Sequence, residues 1–140
     1  MHIEDVVHYV PIVGSSLSSD GRFVVAATPV YSEEKPLRPV LSRVLDLDSE
    51  KKQWEFLHPG DGVESYYNPS IAPDSLHVAA FRYSDSHLDI AIGRMDQPTE
   101  NPVPLTGIPD TPSAIKWRGL PGEVACLGSD TEGTRRIWVW

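Results

Sequence analysis

The sequence predicts an all-β chain of about three four-stranded antiparallel blades of a β-propeller, the last one incomplete. Three features carry that prediction. The first is an internal repeat: Leu17-Ser18-Ser19-Asp20-Gly21-Arg22-Phe23-Val24-Val25-Ala26-Ala27 aligns without gaps on Ile71-Ala72-Pro73-Asp74-Ser75-Leu76-His77-Val78-Ala79-Ala80-Phe81, and a degraded third copy runs from Trp117 to Leu127. Each copy reads as an apolar anchor, a turn and a buried strand. The anchors Leu17, Ile71 and Trp117 lie 54 and 46 residues apart, a spacing typical of propeller blades. The second feature is a pair of landmarks at one common spacing: Asp48 and Asp96 are 48 residues apart, and so are Leu57 and Leu105. The third is punctuation. Thirteen prolines and ten glycines interrupt the chain at short intervals, which holds most segments to strand length and leaves no strong helix signal.

The elements follow in order. A short lead-in, 1–10, carries Val6, Val7 and Val10 at helix-like spacing, but β-branched residues make a weak helix. The first blade-like unit spans about 11–58. Leu17 ends a short strand, and Ser19-Asp20-Gly21-Arg22 is a tight turn, with the Asp side chain free to bond its own backbone and Gly supplying a positive φ. Phe23–Thr28 is a buried strand, Pro29–Pro39 a long polar hairpin loop, Val40–Leu47 the next strand and Gln53–Leu57 the outer one. The second unit, about 63–107, repeats this order: Tyr67–Ile71, a turn at Pro73–Leu76, His77–Tyr83, a hairpin at Ser84–His87, Leu88–Arg94, and an outer strand Pro102–Thr106. The third, 112–140, supplies Ser113–Trp117, Glu123–Leu127, a hairpin over Gly128–Thr134 and Arg135–Trp140. The chain stops where the earlier units run on into an Asp-containing turn and an outer strand. An Ile137-Trp138-Val139-Trp140 end leaves an apolar strand edge, so the sequence is expected to be cut within a blade.

Composition narrows the function. At 140 residues the chain is one domain, and its 40% apolar content is that of a globular chain. Twelve basic against 20 acidic residues give a net charge of -8, which argues against nucleic acid and anionic membrane as partners. The lone Cys126 sits in an apolar run and reads as a small buried hydrophobe. The start, Met1-His2-Ile3-Glu4-Asp5, has acids where a secretion signal needs bases, and no apolar run reaches membrane-span length, so a cytoplasmic location is expected.

Tested for chemistry, the chain offers no catalytic, metal or cofactor residues. A nucleophile elbow needs Gly-x-Ser-x-Gly, and both Gly14-Ser15-Ser16 and Gly128-Ser129-Asp130 lack the second glycine. A phosphate-cradling Gly-rich loop with its Lys is also missing. The five histidines, His2, His8, His58, His77 and His87, show no metal-ligand spacing. Asp85-Ser86-His87-Leu88-Asp89 is the densest polar cluster and reads as a solvated hairpin tip. Glu33-Glu34 lies in the long loop, where an acidic anchor for a peptide amino group competes with a plain solvated loop. Trp54, Trp117, Trp138 and Trp140 fall at strand positions and read as core or blade-interface residues.

Several of these strings resemble a known family. Ser18-Ser19-Asp20-Gly21-Arg22 is similar to the Ser-Pro-Asp-Gly-Arg/Lys turn of bacterial-type propeller repeats, and Ala72-Pro73-Asp74 keeps its Pro-Asp while Ser75 replaces its Gly. Gly128-Ser129-Asp130-Thr131-Glu132-Gly133-Thr134-Arg135-Arg136-Ile137-Trp138-Val139 looks like the closing hairpin of the same repeats, and also resembles WD repeats. Ile3-Glu4-Asp5 ahead of the first turn resembles the start of the prolyl oligopeptidase family of serine peptidases, its acylaminoacyl-peptidase branch in particular. The Asp-Gly turn is shared with the propeller of the periplasmic Tol system. The peptidase resemblance implies a non-catalytic propeller that gates and docks short or acylated peptides for a C-terminal α/β-hydrolase domain. That domain holds the catalytic Ser, Asp and His, and the present chain is expected to be inactive alone. The alternative is a WD-like or Tol-type scaffold that binds a protein partner. A third expectation applies if the 140 residues stand alone: two copies pair through the open blade edge. Leu17→Asp and Ile71→Asp are both expected to unfold the chain.

Overall fold

A computed structural model describes residues 14–29, 40–51, 53–57, 65–84, 87–108, 111–119 and 122–140. Within these residues the chain is all β, with no helix long and apolar enough to cross a membrane. The first sheet holds β1 (Gly14–Leu17), β2 (Phe23–Pro29), β3 (Val40–Asp46) and β4 (Trp54–Phe56), in that order. The second holds β5 (Ser65–Ile71), β6 (His77–Ser84), β7 (His87–Arg94) and β8 (Val103–Pro104), again in chain order. The third holds β9 (Thr111–Arg118), β10 (Glu123–Ser129) and β11 (Arg135–Val139). All pairings are antiparallel between successive strands, the meander that builds a propeller blade.

The sequence repeat is a repeat of register. Leu17 stands opposite Val24, Ile71 opposite Val78, and Trp117 opposite Val124. The turn that follows each of the first two anchors is closed by the same two backbone bonds. Ser18 N–H donates to Phe23 O at 2.9 Å and Gly21 N–H to Ser18 O at 3.0 Å. Ala72 N–H likewise donates to His77 O at 2.8 Å, and Ser75 N–H to Ala72 O at 3.0 Å. An aspartate holds each turn from within: Asp20 Oδ1 accepts from Arg22 N–H at 3.0 Å, and Asp74 Oδ1 accepts from Leu76 and His77 N–H at 2.9 and 3.0 Å. Gly21 has φ 76°, and Ser75 adopts the same left-handed backbone at φ 60°. The second landmark recurs too, with Leu57 N–H bonded to Ser42 O and Leu105 N–H to Ile90 O.

Two apolar layers separate the three sheets. Phe23, Val25, Val44 and Leu57 of the first sheet pack on Val78 and Met95 of the second. Ala79, Phe81 and Ile90 of the second pack on Ile115, Val124 and Cys126 of the third. Successive side chains on a strand point to opposite faces, so β6 sends Val78 into one layer and Ala79 and Phe81 into the other.

Leu17 is not the buried anchor its repeat position implies. It is 61% exposed, whereas Ile71 and Trp117 pack into the first and second layers. The reason is positional: this face of each sheet is covered by the sheet before it, and among the described residues no sheet precedes β1. Trp54, opposite Leu45 on the same outer face, is 45% exposed rather than core. The expected outer strand Pro102–Thr106 shrinks to Val103–Pro104, because Pro102 and Pro104 have no N–H to give to a ladder. The lead-in 1–10 and the loop that includes Glu33 and Glu34 lie outside the described residues, as do the expected boundaries at 11, 58 and 63.

Candidate functional site

The seam between the first and second sheets opens at its rim into a cleft of about 230 Å³. Phe23, Val44 and Met95, all buried in the first apolar layer, form its floor. Arg22, Asp46, Lys51, Glu55 and Asp96 form its charged walls. Arg22 follows the Asp20-Gly21 turn and Asp46 ends β3, and the cross-strand pair Phe23–Asp46 brings them side by side. The Arg22 guanidinium forks the Asp46 carboxylate, Nε to Oδ1 at 3.1 Å and a terminal nitrogen to Oδ2 at 2.8 Å, and its carbon lies 4.6 Å from the centre of the Phe23 ring. On the second sheet Arg94 forks Asp96 in the same way, at 3.0 and 2.8 Å.

These forks set the charges. The Arg22 guanidinium holds Asp46 below the ordinary carboxylate range, and Asp46 in turn raises Arg22. Arg94 does the same to Asp96. The rim therefore carries two pairs of opposite charge, Arg22–Asp46 and Arg94–Asp96, while Lys51 and Glu55 have no ion-pair partner among the described residues. Such a cleft can hold a small polar or zwitterionic group by charge and hydrogen bonding. Ser49 and Gln53 add a hydroxyl and an amide to its lining.

The polar residues singled out from sequence are scattered by the fold. His87 is exposed at the start of β7, and Asp85 and Ser86 lie outside the described residues, as do His2, His8 and His58. Asp89 does not belong to a solvated tip. It is buried inside β7, directly opposite Arg82 on β6, and the two side chains form a forked ion pair, Arg82 Nε to Asp89 Oδ1 at 2.9 Å. Antiparallel register makes this pair, and two residues equidistant from a hairpin centre are the signal that would have found it. His77 Nδ1 lies 2.5 Å from Asp74 Oδ2. Burial raises the Asp74 carboxyl, but the N–H groups of His77 and Leu76 together with the His77 ring outweigh it and bring Asp74 below its ordinary value. No group of three or more His, Cys, Asp or Glu side chains among the described residues could hold a metal ion.

Sequence reasoning missed the serines that knit the first seam. Ser19 Oγ and Ser75 Oγ share a hydrogen bond at 2.8 Å, Ser75 Oγ also accepts from Asp20 N–H at 3.3 Å, and Ser42 Oγ donates to Tyr66 O at 3.2 Å. The second seam is tied by indoles. Trp117 Nε1 donates to Ser70 O at 2.7 Å and Trp140 Nε1 to Thr106 O at 2.8 Å, so these two tryptophans are the interface residues expected of them.

Among solved structures the chain is similar to part of the tricorn protease. The TM-score is 0.58 at 13% sequence identity, over 91% of this chain and 18% of that one. The likeness is one of fold, and the chain spans less than a fifth of that protease's length. No family model matches the chain, and no curated protein does.

Proposed function

We propose that the chain is a non-catalytic propeller segment that gates and docks short or acylated peptides for a serine peptidase of the prolyl oligopeptidase type. An α/β-hydrolase domain carried elsewhere would supply the nucleophile, base and acid. The observation that carries this reading is the shared fold: nearly the whole chain follows a small part of a much longer protease. The turn at Ser18–Arg22 and the hairpin at Gly128–Val139 support it as resemblances to the repeats of such propellers. The rim cleft offers a docking place of the right character, since a short peptide presents an amino or acylamino group and a carboxylate to its charges of both signs.

The second reading is a propeller scaffold with a protein partner and no enzymatic role. The exposed apolar side chains Leu17 and Trp54 on the outer face of the first sheet favour it. Sequencing the source transcript past the codon for Trp140 separates the two. An open frame that reaches a Gly-x-Ser-x-Gly elbow with a later Asp and His supports the peptidase reading. A frame of further blades without an elbow, or an immediate stop codon, overturns it. Turnover of peptides by the purified chain itself would also sink the non-catalytic assignment.

A further inference from the structure

The first sheet carries charge at its rim where the blade does not need it. The first two sheets share one pattern of register, so positions of the rim cleft have counterparts one sheet on. Glu55 stands opposite Val44 on β4, and its counterpart Val103 stands opposite Ile92 on β8. The Arg22 carbonyl accepts from Leu47 N–H, and the carbonyl of its counterpart Leu76 accepts from Met95 N–H, both at 2.8 Å. Lys51 has Thr99 as its counterpart, 48 residues on. Valine, leucine and threonine therefore build the same blade, and the charges of the first sheet are an addition to it. Arg22 is engaged with Asp46 and stacked on Phe23. Lys51 and Glu55 are left over: they line one cleft with opposite charge and form no ion pair with each other. Cross-strand pairing puts Glu55 on the face of Val44, part of the cleft floor.

We propose that the rim cleft binds a free peptide of two or three residues by both its ends, Lys51 taking the terminal carboxylate and Glu55 the terminal ammonium. This rests on the docking role given to the cleft above, and narrows it from short or acylated peptides to unblocked ones. Each of the two side chains lacks an opposite charge among the described residues, and a small molecule that brings both charges is a zwitterion. Length then selects among zwitterions. Residues 51 and 55 are four apart, so their Cα atoms lie at most about 14 Å from each other. A single amino acid has both charges on one carbon, whereas a chain of two or three residues sets them roughly 7–11 Å apart. Ser49 and Gln53 supply a hydroxyl and an amide for the peptide links between the ends. The buried floor and the Arg22–Asp46 fork are in place before the peptide arrives, so little ordering opposes binding.

The test is titration of the whole 140-residue chain with the tripeptide Ala-Ala-Ala, its carboxamide and its N-acetyl form, followed by amide chemical shifts in solution. The expected result is saturable binding of the free tripeptide, weakened about fivefold by blocking either end. Lys51→Met should weaken the free tripeptide by the same factor and leave the carboxamide unchanged. Glu55→Gln should likewise weaken the free tripeptide and leave the N-acetyl form unchanged. Both side chains are exposed, and circular dichroism checks that each variant keeps its strands; the three ligands on the parent chain decide the matter if a variant does not. No saturable binding of the free tripeptide overturns the proposal, and so does equal affinity for all three ligands. Binding that responds to the blocked ends but ignores both variants puts the peptide elsewhere and overturns it too. A transcript without a hydrolase elbow would remove the peptidase reading and leave these titrations untouched, so the two failures are told apart.

Discussion

The indole of Trp117 reaches across the second seam and donates to the carbonyl of Ser70 at 2.7 Å. That carbonyl belongs to β5, next to the register shift between Tyr67 and Ser70. The bond therefore fastens the irregular stretch of β5 to β9, the inner strand of the next sheet. Trp117→Phe keeps most of the ring's packing and loses the bond, so it should cost about 1 kcal/mol in denaturant unfolding. Trp117→Ala also empties the site and should cost about 3 kcal/mol. Equal costs for the two would mean that the bond contributes nothing.

Ser75 sits in left-handed backbone and uses its hydroxyl across the first seam. Ser75→Ala retains the strained backbone and loses the bonds, and should destabilise by about 1 kcal/mol. Ser75→Gly loses the same bonds but relieves roughly 1 kcal/mol of left-handed strain, and should come out near neutral. At Gly21 a Cβ would meet nothing within 4 Å, so Gly21→Ala isolates the backbone cost, about 1 kcal/mol. Thermal melting of the three variants side by side reads this order.

Acid should unfold the chain through its aspartates. Asp20 is held below its ordinary value by the Ser18 hydroxyl and the Arg22 N–H, Asp46 by Arg22, Asp96 by Arg94, and Asp74 by its turn amides against the opposing effect of burial. A carboxylate more acidic in the folded than in the unfolded chain adds stability above its unfolded pKa, and that stability drains away as pH falls through the folded value. The melting temperature should stay level from pH 7 to about 5 and fall below about pH 4. Asp46→Asn should shallow that fall, and an unchanged slope would remove Asp46 from the account.

Cys126 is fully buried against the second layer, and desolvation raises its thiol above the ordinary range. A thiol reagent at neutral pH should label the folded chain many times more slowly than the chain in denaturant. Ile137→Lys should leave that protection in place, since Ile137 and Cys126 lie on opposite faces of the third sheet. Rapid labelling of the parent chain would mean that the second seam opens readily.

How much was legible in the sequence depends on what set each feature. The blades were legible because turn chemistry and strand pairing repeat at fixed spacing: Asp20 and Asp74 cap equivalent turns, and Leu57 and Leu105 make equivalent bonds. The burial of individual anchors was not, because Leu17, Ile71 and Trp117 share one local pattern and differ only in whether another sheet lies across from them. The serines at the first seam were missed for a related reason. A serine in a strand reads as a solvent-facing residue until the neighbouring sheet is placed, and Ser42 is then fully buried with its hydroxyl on Tyr66 O. Asp89 was misplaced by proximity to a hairpin, although one step of antiparallel counting pairs it with Arg82. The rim cleft was invisible as a unit because its walls come from β3, the turns and the second sheet, brought together only by the seam.

Because β6 sends alternate side chains into both apolar layers, the middle sheet is a wall common to two rooms. Neither layer can be dismantled without moving it, so Val78 and Phe81, facing away from each other, should fail together. Unfolding should then run as one cooperative step rather than as sheets peeling off in turn. Amide protons at the centre of β6 should exchange with solvent only when the entire chain opens, well after those of the short edge strands β4 and β8.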